Sequence, residues 1–121
     1  GGLEDADYVF VAYGLPGQST KGAVEQLRSE GYKVGFIRPI TAWPFPEEAF
    51  EKINKNVKGV ITVEANATGQ LIDDAALFIK KVMKDKNVPA YCLPYVYGIP
   101  AMKDIKKDFI KIVAGEIKEV Y

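Results

Sequence analysis

Three groups of residues in this sequence have the types and spacing to meet a ligand or a partner. The first is Glu64-Ala-Asn-Ala-Thr-Gly-Gln70, where a carboxylate, two amides and a hydroxyl crowd the end of an apolar run just ahead of a helical pattern. A loop of this kind binds an anion on its backbone N–H groups or docks a partner's backbone. The same residues also have a purely structural use: Asn66 and Thr68 can cap the turn and the helix, and Glu64 can pair locally with Arg38. Both readings stand, and Glu64, Asn66, Gly69 and Gln70 are candidates for a ligand loop or a contact surface.

The second group is Gly14-Leu-Pro-Gly-Gln-Ser-Thr-Lys21, a glycine turn opening a helix, which can bring N–H groups to a phosphate. Its spacing is neither G-x-G-x-x-G nor G-x-x-x-x-G-K-[ST]. The second strand ends in Arg38-Pro39 rather than in the acidic residue that holds a nicotinamide ribose. A plain strand-to-helix turn is the favoured reading, with Gly14 and Arg38 kept as contact candidates. The third group is aromatic: Trp43 and Phe45 in a proline-fixed connector, with Tyr91, Tyr95 and Tyr97 further on. Such side chains bury large area at interfaces while keeping a polar tip, and they serve equally as packing over a core.

What is missing narrows the chemistry further. There is no histidine, and Cys92 is the only cysteine. No Ser-His-Asp or Cys-His arrangement can be built, no disulfide can form within the chain, and no cysteine cluster exists to hold zinc or an iron–sulfur centre. Cys92 lies in an apolar strand and reads as buried and inert. With no general base, nucleophile and oxyanion stabiliser together, the chain alone is not expected to be an enzyme. Cysteine usage points to the cytoplasm. Basic and acidic residues balance at 16 each, so there is no basic excess to hold nucleic acid, and the lysines read as solvated helix faces. No apolar run reaches the roughly 18 to 20 residues of a membrane span. The start, GGLEDADYVF, has no basic region ahead of its first apolar run and does not read as a signal peptide.

The 121 residues, 48% hydrophobic and 26% charged, suit one packed domain without disulfide or metal support. Short β-branched runs alternate with helical stripes. Tyr8–Tyr13, Lys33–Arg38, Val57–Glu64 and Pro89–Leu93 read as strands, and Glu116–Tyr121 as a short closing strand. Helices are expected from Ser19 or Thr20 as N-cap to a C′ glycine at Gly31, after Pro46, over Gln70–Met83 and around Met102–Ile112. This alternation implies βαβ crossovers: a three-layer α/β/α sandwich on a mostly parallel sheet.

The segments LEDADYVFVAYG, GAVEQLRSEGYKVGFIRPITAWPFPEEAF and VKGVITVEANATGQLIDDA closely resemble the transketolase C-terminal-like domain of 2-oxoacid:ferredoxin oxidoreductase alpha subunits. The VAYG turn, the EGxKVGxxRPITxWPFP block and the VExNxGQ loop carry the resemblance, here with one extra residue between Glu64 and Gln70, over roughly Leu3 to Ala76. Leu93-Pro-Tyr-Val-Tyr-Gly-Ile-Pro100 departs from it, since many members are glycine-rich there. The resemblance implies a five-stranded sheet with one antiparallel strand, and a single domain, 1–121, cut from a longer alpha subunit. It implies an enzyme that converts a 2-oxoacid and coenzyme A to acyl-CoA and CO₂ and reduces ferredoxin, with a lean toward 2-oxoglutarate or 2-oxoisovalerate. Thiamine diphosphate, Mg and iron–sulfur clusters then lie elsewhere in the parent complex, with no cofactor in this domain. Its role is expected to be assembly with beta, gamma and ferredoxin-like subunits, or as a homodimer. A nucleotide- or CoA-binding α/β module is the competing expectation.

Overall fold

A computed structural model describes residues 2–12, 14–38, 47–64, 70–84, 86–95 and 100–121, with the backbone alone at 14, 15, 47 and 70. The elements run β1 (Tyr8–Val11), α1 (Gly14–Ser29), β2 (Val34–Ile37), α2 (Glu47–Glu51), β3 (Gly59–Glu64), α3 (Gln70–Val82), β4 (Ala90–Pro94) and α4 (Met102–Val113). The strands form one sheet in the order β2-β1-β3-β4, and every pairing is parallel. Parallel neighbours need a crossover, which is why a helix separates each pair of consecutive strands. From β1 the chain steps outward to β2 and then returns to the other side of β1 with β3. That reversal covers both faces of the sheet, and every residue of β3 is buried.

Alternation along each strand divides the core in two. Val9, Val11, Ile37 and Val60 face α2 and α3, meeting Phe50, Ile53, Leu71, Ala75 and Ile79. Phe10, Ala12, Val34, Ile61, Val63 and Leu93 face α1 and α4, meeting Ala23, Leu27, Ile105, Phe109 and Ile112. Phe109 is the hub of that second core, with the rings of Tyr8 and Tyr32 each edge-on to it at 5.5 Å and Phe10 tilted at 5.7 Å. The α/β sandwich on a parallel sheet stands as expected.

Two expectations change. Helix α1 begins at Gly14, several residues before the expected cap at Ser19 or Thr20. Pro16 sits in the first turn, where its missing N–H costs nothing, so the run taken for a turn is helix. Thr20 is inside it and donates its hydroxyl to the Pro16 carbonyl, 2.7 Å away, rather than capping. The helix ends as expected. Gly31 has φ 98°, its N–H reaches the Arg28 carbonyl, and the Tyr32 N–H reaches Leu27.

The sheet has four strands among the described residues, one fewer than expected. Of Glu116–Tyr121 only the end reaches the sheet: Ala90 and Tyr121 exchange both backbone hydrogen bonds, at 3.2 and 3.3 Å. That exchange is the mark of an antiparallel hydrogen-bonded pair. The closing strand is thus reduced to its last two residues on the β4 edge, where the Val120 N–H also reaches the Ala90 carbonyl at 2.8 Å and the Tyr121 hydroxyl is held by Asp73 of α3. The opposite edge is guarded differently. Arg28 donates from Nη1 to the outward Val34 carbonyl at 2.6 Å.

Candidate functional site

In an open parallel sheet the crevice for a ligand lies beyond the strand carboxyl ends where the strand order reverses, here between β1 and β3. β3 outruns its neighbour: Val11 pairs with Thr62, so Glu64 projects two residues past the last β1 pairing, beside Pro94 of β4. Val60 belongs to the α2/α3 core, so the two-residue period turns Thr62 and Glu64 to the same side. Cys92, paired with Thr62 in the ladder, joins them there.

These three side chains form one hydrogen-bonded set. Oε2 of Glu64 accepts from the Cys92 thiol at 3.1 Å and lies 3.4 Å from the Thr62 hydroxyl. Thr62 also lies 3.4 Å from the Tyr91 carbonyl, and its single proton serves one acceptor at a time. Thr62 is fully buried and Glu64 is 7% exposed, so the carboxylate has been drawn into the protein and given donors there. Burial, with the bond to Glu64 next, pushes the Cys92 thiol up to about 11. A thiol with a raised pKa is a weaker nucleophile at neutral pH, and the three side chains form one polar set at the sheet end.

The other candidates fall in different places. Arg38 lies on the α1 face of the sheet edge, over the first turns of that helix; a Cβ on Gly17 would come within 2.8 Å of its Nε and 3.3 Å of the Ala12 carbonyl. Glycine at 17 is what lets the guanidinium approach. Register thus separates Arg38 and the Gly14 helix start from Glu64 and the Gln70 helix start, which belong to the α3 face. The expected local pairing of Glu64 is replaced by bonds to Thr62 and Cys92. Trp43, Phe45, Asn66 and Gly69 lie outside the described residues, as does Tyr97. Tyr91 packs in the α1/α4 core, and Tyr95 donates to Asp108 at 2.6 Å, its phenol raised by burial and by that carboxylate. For these two tyrosines the packing reading holds.

Thr62 and Cys92 were not expected at the site. Their signal was present, since T-x-E on a buried strand places both side chains on one face, but the β3–β4 register was needed to bring Cys92 across. Among the described residues no three His, Cys, Asp or Glu side chains converge as metal donors. One cysteine does not fit an iron–sulfur cluster.

The fold defines a doubly wound α/β domain in which a buried carboxylate, Glu64, is bonded to Thr62 and Cys92 at the end of β3, beside the switch point. Residues 6–100 match the family described as pyruvate:ferredoxin oxidoreductase core domain II, and the chain belongs to that family. The match runs past the segments that carry the resemblance in sequence and includes all of the divergent Leu93–Pro100 stretch. The chain is 33% identical over 129 aligned residues to ketoisovalerate oxidoreductase subunit VorA of Pyrococcus horikoshii, covering 99% of this chain and 30% of that subunit. It is 42% identical over 72 residues to ketoisovalerate oxidoreductase subunit VorB of Methanothermobacter marburgensis, covering 60% of this chain and 20% of the relative. Over 77 residues it is 42% identical to 2-oxoglutarate synthase subunit KorA of Methanocaldococcus jannaschii, covering 64% and 20%. The chain therefore spans less than a third of the length of these curated relatives. No described helix is long and apolar enough to cross a membrane.

Proposed function

We propose that this chain is one domain of a longer alpha subunit in a cytoplasmic 2-oxoacid:ferredoxin oxidoreductase, and that its work there is positional. The parent reaction takes a 2-oxoacid, coenzyme A and oxidised ferredoxin to acyl-CoA, CO₂ and reduced ferredoxin. Thiamine diphosphate with Mg, and the iron–sulfur clusters, belong to other domains and subunits. Membership of the core domain II family carries this reading. The inward bonding of Glu64 to Thr62 and Cys92 supports it, because the crevice that would hold a ligand is braced by the protein's own groups. The names of the relatives favour ketoisovalerate or 2-oxoglutarate as substrate, with the selecting residues outside this chain.

Mixing experiments test the proposal. The purified chain, supplied with thiamine diphosphate, Mg, coenzyme A, a 2-oxoacid and ferredoxin, gives no acyl-CoA, yet co-elutes with the remaining subunits on size exclusion. Turnover by the chain alone refutes the positional role. One observation favours the nucleotide- or CoA-binding reading: Arg38 sets a guanidinium over the first turns of α1, where a phosphate would be welcome. Saturable binding of CoA that an Arg38→Ala change abolishes would favour that second reading.

A further inference from the structure

Away from the sheet end, a half-open cavity of about 400 Å³ lies along the β4 edge, between α3 and the residues that lead into β4. That volume falls within the roughly 300 to 1,000 Å³ of small-molecule pockets. Asp73, Ala76, Leu77 and Lys80 line it from α3. Their spacing of three, four and seven places them in one stripe of the helix, away from the buried Ile72, Ala75 and Ile79. Asn87, Val88 and Tyr121 line the remainder, with the stem of Lys86.

The walls are fixed by bonds within the domain. Tyr121 is tied twice, by its backbone exchange with Ala90 and by its hydroxyl to Asp73, so its ring is held in place although the residue is 54% exposed. Lys86 donates to the Lys55 and Val57 carbonyls at 3.3 and 2.9 Å. The cavity therefore exists before a ligand arrives, which lowers the ordering cost of binding. Folding leaves other lining groups unused. Leu77 is 63% exposed, the most of any large apolar side chain among the described residues. The side chains of Lys80 and Asn87 make no hydrogen bond or ion pair among the described residues. A cation in the last turn of α3 also suits the helix dipole, so Lys80 alone would carry little; Leu77 has no such use.

Charge divides the cavity lengthwise. Lys80 and Lys86 stand at the end near the carboxyl terminus of α3, and Lys86 keeps its charge although its hydrogens go to carbonyls. Asp73 also keeps its charge beside the Tyr121 hydroxyl, but it lies seven residues away, about 10 Å along the helix. The lining is thus positive by one, with both cations at one end and apolar groups between them and Asp73. We propose that this cavity binds a small organic acid, its carboxylate at Lys80 and Asn87 and its apolar body against Ala76, Leu77, Val88 and the Tyr121 ring. A cationic ligand would meet two lysines and find only a carboxylate that already accepts a hydrogen bond. A protein partner is disfavoured because a stable interface draws on roughly 20 to 30 residues a side, against eight here. The site is separate from the Glu64 sheet end, and the inference does not depend on the positional role proposed above.

Saturation-transfer NMR on the full-length protein tests it, with 3-phenylpropionate as the acid probe and 3-phenylpropylamine as its cationic counterpart. The acid should bind saturably with a Kd of a few millimolar, as suits a ligand of that size, and the amine at least about fivefold more weakly. K80E should raise the Kd of the acid about tenfold, because it turns attraction into repulsion. L77E, which places a carboxylate against the apolar body, should abolish binding. Both positions are exposed, and unchanged unfolding midpoints show that the variants are folded. Equal binding of acid and amine overturns the proposal, as does acid binding that survives both substitutions, since it then lies elsewhere. No saturable binding up to about 50 mM also overturns it, because the cavity is then closed in the full-length protein or too weak to serve as a site.

Discussion

The thiol of Cys92 donates across the β3–β4 ladder to the carboxylate of Glu64, Sγ to Oε2 at 3.1 Å, at the sheet end where the strand order reverses. The contact ties the last residue of a fully buried strand to the edge strand beside it. Consequences for reactivity, pH and stability follow from it.

Cys92 is expected to alkylate slowly at pH 8 although it is half-buried rather than sealed. Burial first, and the Glu64 bond second, raise its pKa from the ordinary 9 to about 11. Glu64→Gln removes the second cause, so iodoacetamide modification should speed up at fixed pH. A wild-type rate equal to that of a free cysteine peptide would contradict the geometry. The sign for stability is fixed by the same shift. A thiol whose pKa is raised on folding stabilises the protein fully below the unfolded value near 9, and that contribution is lost as pH rises through about 11. Denaturant midpoints should therefore fall between those limits, and a Cys92→Ser variant should lack that part of the decline.

Glu64→Ala should destabilise the fold by about 1 to 3 kcal/mol, because it strands a buried donor. Thr62 can turn to the Tyr91 carbonyl, so the thiol bears most of the loss. Urea unfolding of the single variant and of Glu64→Ala combined with Cys92→Ala separates the two, the second removal costing little once the first is made.

Much of the fold was legible because alternation and helical periodicity are local signals. Val9 and Val11 against Phe10 and Ala12 declare two covered faces without any knowledge of the helices above them. The start of α1 was not legible, since Pro16 and Gly17 are read as breakers while a first turn tolerates both. Nor was the partner of Glu64, since Cys92 is 28 residues away and reaches it only through the register of a parallel pair.

Phe109→Ala should cost about 3 to 5 kcal/mol, as it empties the meeting point of Tyr8, Phe10 and Tyr32 at a site 1% exposed. Leu77→Ala, on the outer side of α3 at 63% exposure, should stay within about 0.5 kcal/mol of wild type. Similar losses at both positions by chemical denaturation would mean that the α1/α4 core is wrongly assigned.

Two glycines should respond in opposite ways. A Cβ at Gly59 would stand 2.9 Å from the Tyr91 ring and 3.0 Å from that of Tyr8, both held by packing, so Gly59→Ala should destabilise by about 1 to 3 kcal/mol. At Gly22, inside α1, the obstruction is only the sulfur end of Met102, a flexible and half-exposed side chain. There the gain in helix propensity, about 1 kcal/mol, should offset the displacement and leave Gly22→Ala neutral or stabilised. Thermal unfolding of the two variants side by side reads the contrast.

Calorimetric titration with thiamine diphosphate and Mg tests the central claim most directly, run in parallel on this purified chain and on the complete oxidoreductase proposed to contain it. The positional role predicts saturable binding by the complete enzyme and no heat above dilution from the chain alone, with the same silence toward CoA and NADP. A micromolar complex formed by the isolated chain would contradict it and place a ligand site within these residues.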